Sequence, residues 1–155
     1  MQLILAAAIA ATSLFTPLQH ASDWIGAAVR PADLAGKVVL VDVFTFECIN
    51  CKHVVPELRR LRTALPSRDL AIVGIHSPET PYERVRVNVV QNLAAQGITW
   101  PVAVDNSFDL WRAYGVEYWP TQLIFDRHGR LRKTVIGEGQ DELVAATVRE
   151  LVGER

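Results

Sequence analysis

Cys48 and Cys51 are the only two cysteines in the chain, and they stand three residues apart in Cys48-Ile49-Asn50-Cys51. They lie where an apolar run of strand character gives way to a helix-like pattern. Two cysteines at i, i+3 on the first turn of a helix can close a small disulfide. The first is left where unpaired backbone N–H groups and the helix dipole favour a thiolate. This placement points to thiol–disulfide chemistry, with Cys48 as nucleophile, Cys51 as resolving thiol, and their disulfide as the redox group in place of a cofactor. Asp42, six residues earlier, falls in the middle of the apolar run, where an unpaired charge is costly to bury. It is either an acid placed there for chemistry or a strand-end carboxylate bonded to backbone N–H groups.

The elements that must position these residues are legible from periodicity. Lys37 to Phe44 is a nearly unbroken apolar run, as expected of a central strand covered on both faces. After the cysteines, Val54, Leu58, Leu61 and Leu65 recur at helical spacing, with Arg59, Arg60 and Arg62 on a solvated side. Leu70 to Ile75 reads as a second buried strand. Thr80-Pro81-Tyr82-Glu83 is a capping box that predicts a helix carrying Val85, Val89 and Leu93 inward and stopping at Gly97. Val102 to Val104 follows as a short strand, and Ser107 is expected to cap a short helix through Leu110 and Trp111. Thr121 to Phe125 and Leu131 to Ile136 form a hairpin around Asp126-Arg127-His128-Gly129. A last helix opens at Asp141 and Glu142, with Leu143, Val144, Val148 and Leu151 facing the core. Strands alternating with helices, then a hairpin and a closing helix, predict a three-layer α/β/α sandwich.

With 155 residues, half of them hydrophobic, the chain suits one domain, and a net charge of −1 provides no basic field to attract nucleic acid. Residues 2–22 contain no Asp, Glu, Lys or Arg, and Leu3 to Phe15 resembles the apolar region of a signal peptide. Residues 1–22 are therefore read as a signal peptide or a retained membrane anchor, with a buried N-terminal helix as the remaining alternative. Residues 23–155 are read as the folded domain, exported to the periplasm or another extracytoplasmic space.

Val41-Asp-Val-Phe-Thr-Phe-Glu-Cys-Ile-Asn-Cys-Lys52 resembles, without a gap, the active-site segment of the thioredoxin superfamily. Pro56 falls where thioredoxins kink their active-site helix, and Tyr118-Trp119-Pro120-Thr121 resembles their cis-proline loop. The segment between about 75 and 105 looks like the helix and strand inserted in the TlpA/ResA-like branch. Gly74-Ile75-His76-Ser77-Pro78-Glu79 and Trp111-Arg-Ala-Tyr-Gly115 are similar to the thioredoxin-like domains of DipZ-type proteins. The resemblance implies a thioredoxin fold with a mixed sheet. It also implies that Asp42 is a buried general base for Cys51, that Pro120 is cis, and that Trp119, Pro120, Ile49 and Asn50 border the substrate. Trp119 stands where many relatives have a smaller aliphatic side chain, so it either makes the groove more aromatic or belongs to the core. The substrates implied are protein thiols and disulfides, apocytochrome c thiols among them, with a membrane electron donor of the DipZ or CcdA type.

Ile49-Asn50 differs from the dipeptides of both reducing thioredoxins and the oxidant DsbA, which leaves the direction of electron flow open. Glu47 should oppose a Cys48 thiolate, while Lys52 and His53 can offset it, so an intermediate-to-reducing couple is expected; a DsbA-like disulfide donor is the alternative. His53 otherwise reads as a surface residue of the helix. Two other readings remain. Cys48, Cys51, His53 and His76 could gather around a metal, although no second close-spaced ligand pair is present and no metal is expected. Thr45, three residues before Cys48, resembles the T-x-x-C of thiol peroxidases, although Val41 stands where that family has proline.

Overall fold

In the computed structural model, which describes residues 15–154, the apolar run becomes strand β2, Val38–Phe44, with every residue buried. Its neighbours explain the burial. On one side it pairs in parallel with β3, Leu70–His76, from Val38 opposite Leu70 to Phe44 opposite His76. On the other it pairs antiparallel with β5, Thr121–Phe125, from Val39 opposite Phe125 to Val43 opposite Thr121. Strand β4, Val102–Val104, lies parallel beyond β3, and β1, Trp24–Ile25, is antiparallel at that edge. Strand β6, Leu131–Ile136, forms the other edge, antiparallel to β5. The six strands run in the order β1-β4-β3-β2-β5-β6.

Alternation along β2 divides the core in two. Val39, Val41 and Val43 pack with Leu34 of α2 (Pro31–Leu34) and with Leu110 of α5 (Asp109–Ala113). Val38, Leu40 and Phe44 face three longer helices: α3 (Ile49–Ala64) through Val54 and Leu58, α4 (Arg86–Ala95) through Val89 and Leu93, and α6 (Asp141–Gly153) through Val144 and Val148. Asp42 lies on this second face, between Leu40 and Phe44. Its partner in β3 is Gly74, where an added Cβ would sit 2.9 Å from Val102 Cγ2 and 3.1 Å from Phe44 Cε1.

The expected sandwich, mixed sheet and inserted helix–strand are all present, and Gly97 ends α4 with φ +68°. Three local expectations need correction, and two short elements had not been expected. The capping box is made, since the Thr80 N–H donates to Glu83 Oε2 (2.9 Å) and the Glu83 N–H donates to Thr80 Oγ1 (3.4 Å). It opens only a 3₁₀ turn, Tyr82–Arg84, because Val85 is extended (ψ 112°) and exposed instead of inward; α4 starts one residue later. Ser107 does not cap the short helix, because its hydroxyl donates to Asp109 instead. The cap is Asp105, whose carboxylate accepts the Leu110 and Trp111 N–H groups at 3.0 Å each and the Ser77 hydroxyl at 2.8 Å. Leu143 is exposed, and the last helix buries Val144, Ala145, Val148 and Leu151 instead. Finally, β1 and α2 carry too few residues to give a periodic signal and were not expected.

Most of the expected leader, residues 1–14, lies outside the described residues. Its end, helix α1 (Phe15–Leu18) and the turn after it, packs on the domain: Leu18 is buried with Leu34, Leu110 and Tyr114, and the Ala21 carbonyl accepts the Trp24 indole N–H at 3.1 Å. No helix among the described residues is long and apolar enough to cross a membrane.

Candidate active site

Strand β2 ends at Phe44 and β5 begins at Thr121, so their antiparallel register brings the Cys48 loop and the Trp119–Pro120 bond to the same end of the sheet. Cys48 is the N-cap of α3, in extended conformation, and its Sγ accepts the Cys51 N–H at 3.2 Å. This is the orphan-donor environment that favours a thiolate. Cys48 and Cys51 are joined as a disulfide with Cα atoms 5.2 Å apart. The two sulfur-bearing residues differ sharply in access, since Cys48 is half-buried whereas Cys51 is only 3% exposed and belongs to the core. Ile49 and Asn50 are both exposed beside them. Pro56 lies within α3, which continues through it without interruption.

Asp42 is 1% exposed on the face of the sheet against which Cys51 packs. Its Oδ1 has no hydrogen-bond partner, and burial alone pushes its pKa from 3.8 up to about 7. The reading of Asp42 as a carboxylate satisfied by backbone N–H groups finds no such bond at this oxygen. Opposite it in β5 stands Gln122, also buried, whose Nε2 is likewise without a partner.

The Trp119–Pro120 bond is cis. Its loop is held by the Thr121 hydroxyl, which donates to the Tyr118 carbonyl at 2.7 Å, and by the Gly137 N–H, which donates to the Pro120 carbonyl at 2.9 Å. Neither the N–H nor the C=O of Trp119 has a backbone partner among the described residues. The Trp119 side chain is half-buried: its indole N–H donates to the Ser77 carbonyl at 2.9 Å, and its ring packs against Trp111 with centroids 4.4 Å apart. The Trp119 ring is thus anchored in an aromatic cluster at the edge of the core, while its backbone is left unpaired. Tyr118 beside it is exposed.

His53 is on the surface, paired with Glu138, whereas His76 is fully buried beneath Phe46, so the structure does not bring these two histidines together with the cysteines. Among the described residues no three His, Cys, Asp or Glu side chains gather as metal ligands. His76 has its pKa pushed down to about 4, chiefly by burial, and its Nε2 accepts the Phe46 N–H at 3.3 Å, so the ring is neutral. Its Nδ1 has no partner.

Sequence reasoning missed the role of Glu83. Beyond capping its own turn, this fully buried carboxylate accepts the Thr45 hydroxyl, the Glu47 N–H at 3.1 Å and the Glu79 N–H at 2.8 Å. The local signal, a glutamate three residues after a threonine, is complete without these partners 36 and 38 residues away.

Comparison with known proteins agrees with this geometry. The chain is 36% identical over 128 residues to DipZ of Mycobacterium tuberculosis, covering 81% of this chain but only 18% of DipZ. It thus spans less than a fifth of that relative. It is 26% identical over 132 residues to the thiol-disulfide oxidoreductase YkuV of Bacillus subtilis, covering 84% of this chain and 88% of YkuV. The crystal structure of a thioredoxin-like superfamily protein superposes with a TM-score of 0.77 at 29% identity, covering 86% of this chain and 93% of that one. The AhpC/TSA family model matches residues 13–134, a span that takes in Asp42, both cysteines, Glu83 and the cis Trp119–Pro120 bond. On that match and the thioredoxin-like fold, the chain belongs to the AhpC/TSA family.

Proposed function

We propose that the protein is a thiol:disulfide oxidoreductase that works by dithiol–disulfide exchange. The observation that carries this reading is the asymmetry of the pair: a half-buried Cys48 at a helix N-terminus, and a buried Cys51 packed on the face that holds Asp42. The Cys48 thiolate attacks one sulfur of a substrate disulfide, expelling the other as a thiolate and leaving a mixed disulfide. Cys51 gives its proton to the Asp42 carboxylate and attacks Cys48 Sγ, which frees the second substrate thiolate and closes the Cys48–Cys51 disulfide. Two electrons have then passed to the substrate. An acid whose pKa is near 7 is well matched to this transfer at neutral pH. The unpaired backbone of Trp119 can align an extended substrate chain, with Pro120, Ile49 and Asn50 bordering it.

The direction we propose is reductive, because the Glu47 carboxylate next to Cys48 disfavours the thiolate. The apolar residues 2–22 support export. An exported reductant must regain two electrons and two protons, which a DipZ- or CcdA-type membrane protein would supply. Protein disulfides, including those of apocytochromes c, are the substrates. A peroxidase would use the Thr45 hydroxyl beside its cysteine, but that hydroxyl donates to Glu83.

The deciding experiment equilibrates the protein with defined glutathione or dithiothreitol ratios and traps the thiols by alkylation. A potential near about −270 mV supports a reductant, whereas one near about −120 mV reverses the direction. Failure of the Cys48–Cys51 disulfide to exchange at all, or rapid consumption of hydrogen peroxide, overturns the proposal.

A further inference from the structure

The loop that presents Cys48 is held from beneath by a charge. The Glu83 carboxylate is 0% exposed and bridges two segments, with Thr45 Oγ1 and the Glu47 N–H on the active-site loop and the Glu79 and Thr80 N–H groups on the strap that follows β3. All four are donors, which suits an ionised acceptor: burial would raise its pKa, but these bonds hold it below the ordinary carboxylate value. No Lys or Arg contributes to that balance, and the nearby His76 is neutral. The negative charge is therefore held by hydrogen bonds instead of a countercharge, one of them from the amide of the residue before Cys48. Ionisable groups on and around the loop include Glu47 itself, Lys52 and the His53–Glu138 pair on and against the helix that follows, Glu79 and Tyr82 on the strap, the buried His76 stacked on Phe46, and the buried Asp42 of β2.

We propose that Glu83 is a positioning residue for the redox couple: its carboxylate fixes the Thr45–Glu47 loop, and its buried charge raises the free energy of the Cys48 thiolate, biasing the couple toward giving up electrons. This rests on the dithiol–disulfide reading above. The disulfide is uncharged, so the repulsion falls on the reduced form alone. A like charge held on the amide of the residue before Cys48 raises the Cys48 pKa, by roughly one unit at an effective dielectric between that of protein and water. Where Cys48 is ionised, one unit is about a tenfold change in the equilibrium protein disulfide + 2 glutathione ⇌ protein dithiol + glutathione disulfide, or about 30 mV.

The test uses the full chain and two variants. In Glu83→Gln, which removes the charge, the pH midpoint of Cys48 alkylation should fall by roughly one unit, and the glutathione equilibrium should move up to about tenfold toward the dithiol. In Glu83→Asp, which keeps the charge on a shorter arm, the midpoint should hold while hydrogen exchange at the Glu47 amide quickens. A Glu83→Gln protein that is merely less stable, with midpoint and equilibrium unchanged, overturns the electrostatic role. If Glu83→Gln does not fold, Glu83→Asp decides: a wild-type exchange rate at Glu47 overturns the proposal, and faster exchange with an unmoved midpoint upholds it. If the wild-type disulfide does not exchange with glutathione, the functional reading itself fails; if it exchanges and the variants match it, only the inference on Glu83 fails.

Discussion

Replacing Asp42 with asparagine tests the claim that a buried acid titrates beneath the disulfide, and the effect can be sized. Burial raises the carboxyl from 3.8 to about 7, so between about pH 4 and pH 7 the folded protein holds a proton that the unfolded chain has released. Stability rises wherever the unfolded state binds more protons; here the folded state binds more, so stability must fall as pH rises through this window. It levels off above about pH 8, a unit beyond the folded pKa. A shift of about three units corresponds to a loss of about 4 kcal/mol between pH 4 and pH 8, since one unit is about 1.4 kcal/mol. The amide introduced by Asp42→Asn does not titrate, so this slope disappears in the variant, and any fixed cost of an amide at the site is the same at every pH. Urea unfolding of the oxidised proteins, with unfolded thiols kept out of play by the intact disulfide, should show the variant gaining about 3–4 kcal/mol relative to wild type between pH 4 and pH 8. Parallel curves for the two proteins would refute the reasoning, because Asp42 would then titrate alike in the folded and unfolded states.

Cys51→Ser should leave Cys48 able to attack but unable to be released, so a mixed disulfide with a substrate or small thiol accumulates and is seen by mass spectrometry; absence of any such adduct counts against the assignment of roles. Gly74→Ala forces a Cβ within 2.9 Å of Val102 Cγ2 and 3.1 Å of Phe44 Cε1, and overpacking of this kind costs about 1–3 kcal/mol, readable as a lowered urea midpoint. Asp105→Ala leaves the Leu110 and Trp111 N–H groups and the Ser77 hydroxyl without their acceptor, and should cost about 2–3 kcal/mol in the same assay, whereas Ser107→Ala should cost less than about 0.5 kcal/mol.

The buried strands were readable because β2, β3 and β5 are covered on both faces, and such strands leave continuous apolar runs. The cysteines and Asp42 stood out because a C-x-x-C pair at a helix start and a charge in an apolar strand are local patterns, whereas the cis bond at Pro120 was expected only from the resemblance of its loop to that of thioredoxins. What escaped was set by distant partners. Glu83 satisfies every local rule for a cap, and its bonds to Thr45 and Glu47 depend on how the strap after β3 folds back over the loop. Ser107 is a better cap than Asp105 by position alone, but the buried Asp105 reaches the helix N-terminus and Ser77 together. Leu143 lies one position before the stripe that α6 buries, Val144, Ala145, Val148 and Leu151, and so falls on its exposed flank. β1 is two residues long, and its pairing depends on β4 being in place to receive it.

The two rims of the sheet bear on how such a protein handles its clients. β1 is only two residues long, and β6 carries Arg132 and Lys133 along its length. Short edges and charged edges are both poor templates for an incoming strand. A protein that meets incompletely folded chains, rich in unpaired backbone and apolar segments, would be captured by them if its sheet could be extended. Under the proposed function, the unpaired N–H and C=O of Trp119 would offer an extended chain only a short foothold at the disulfide end of the sheet. On the proposed exchange function, a client held there by a few bonds would leave once its disulfide had been exchanged, and turnover without co-aggregation would then depend on the rims as much as on the sulfurs.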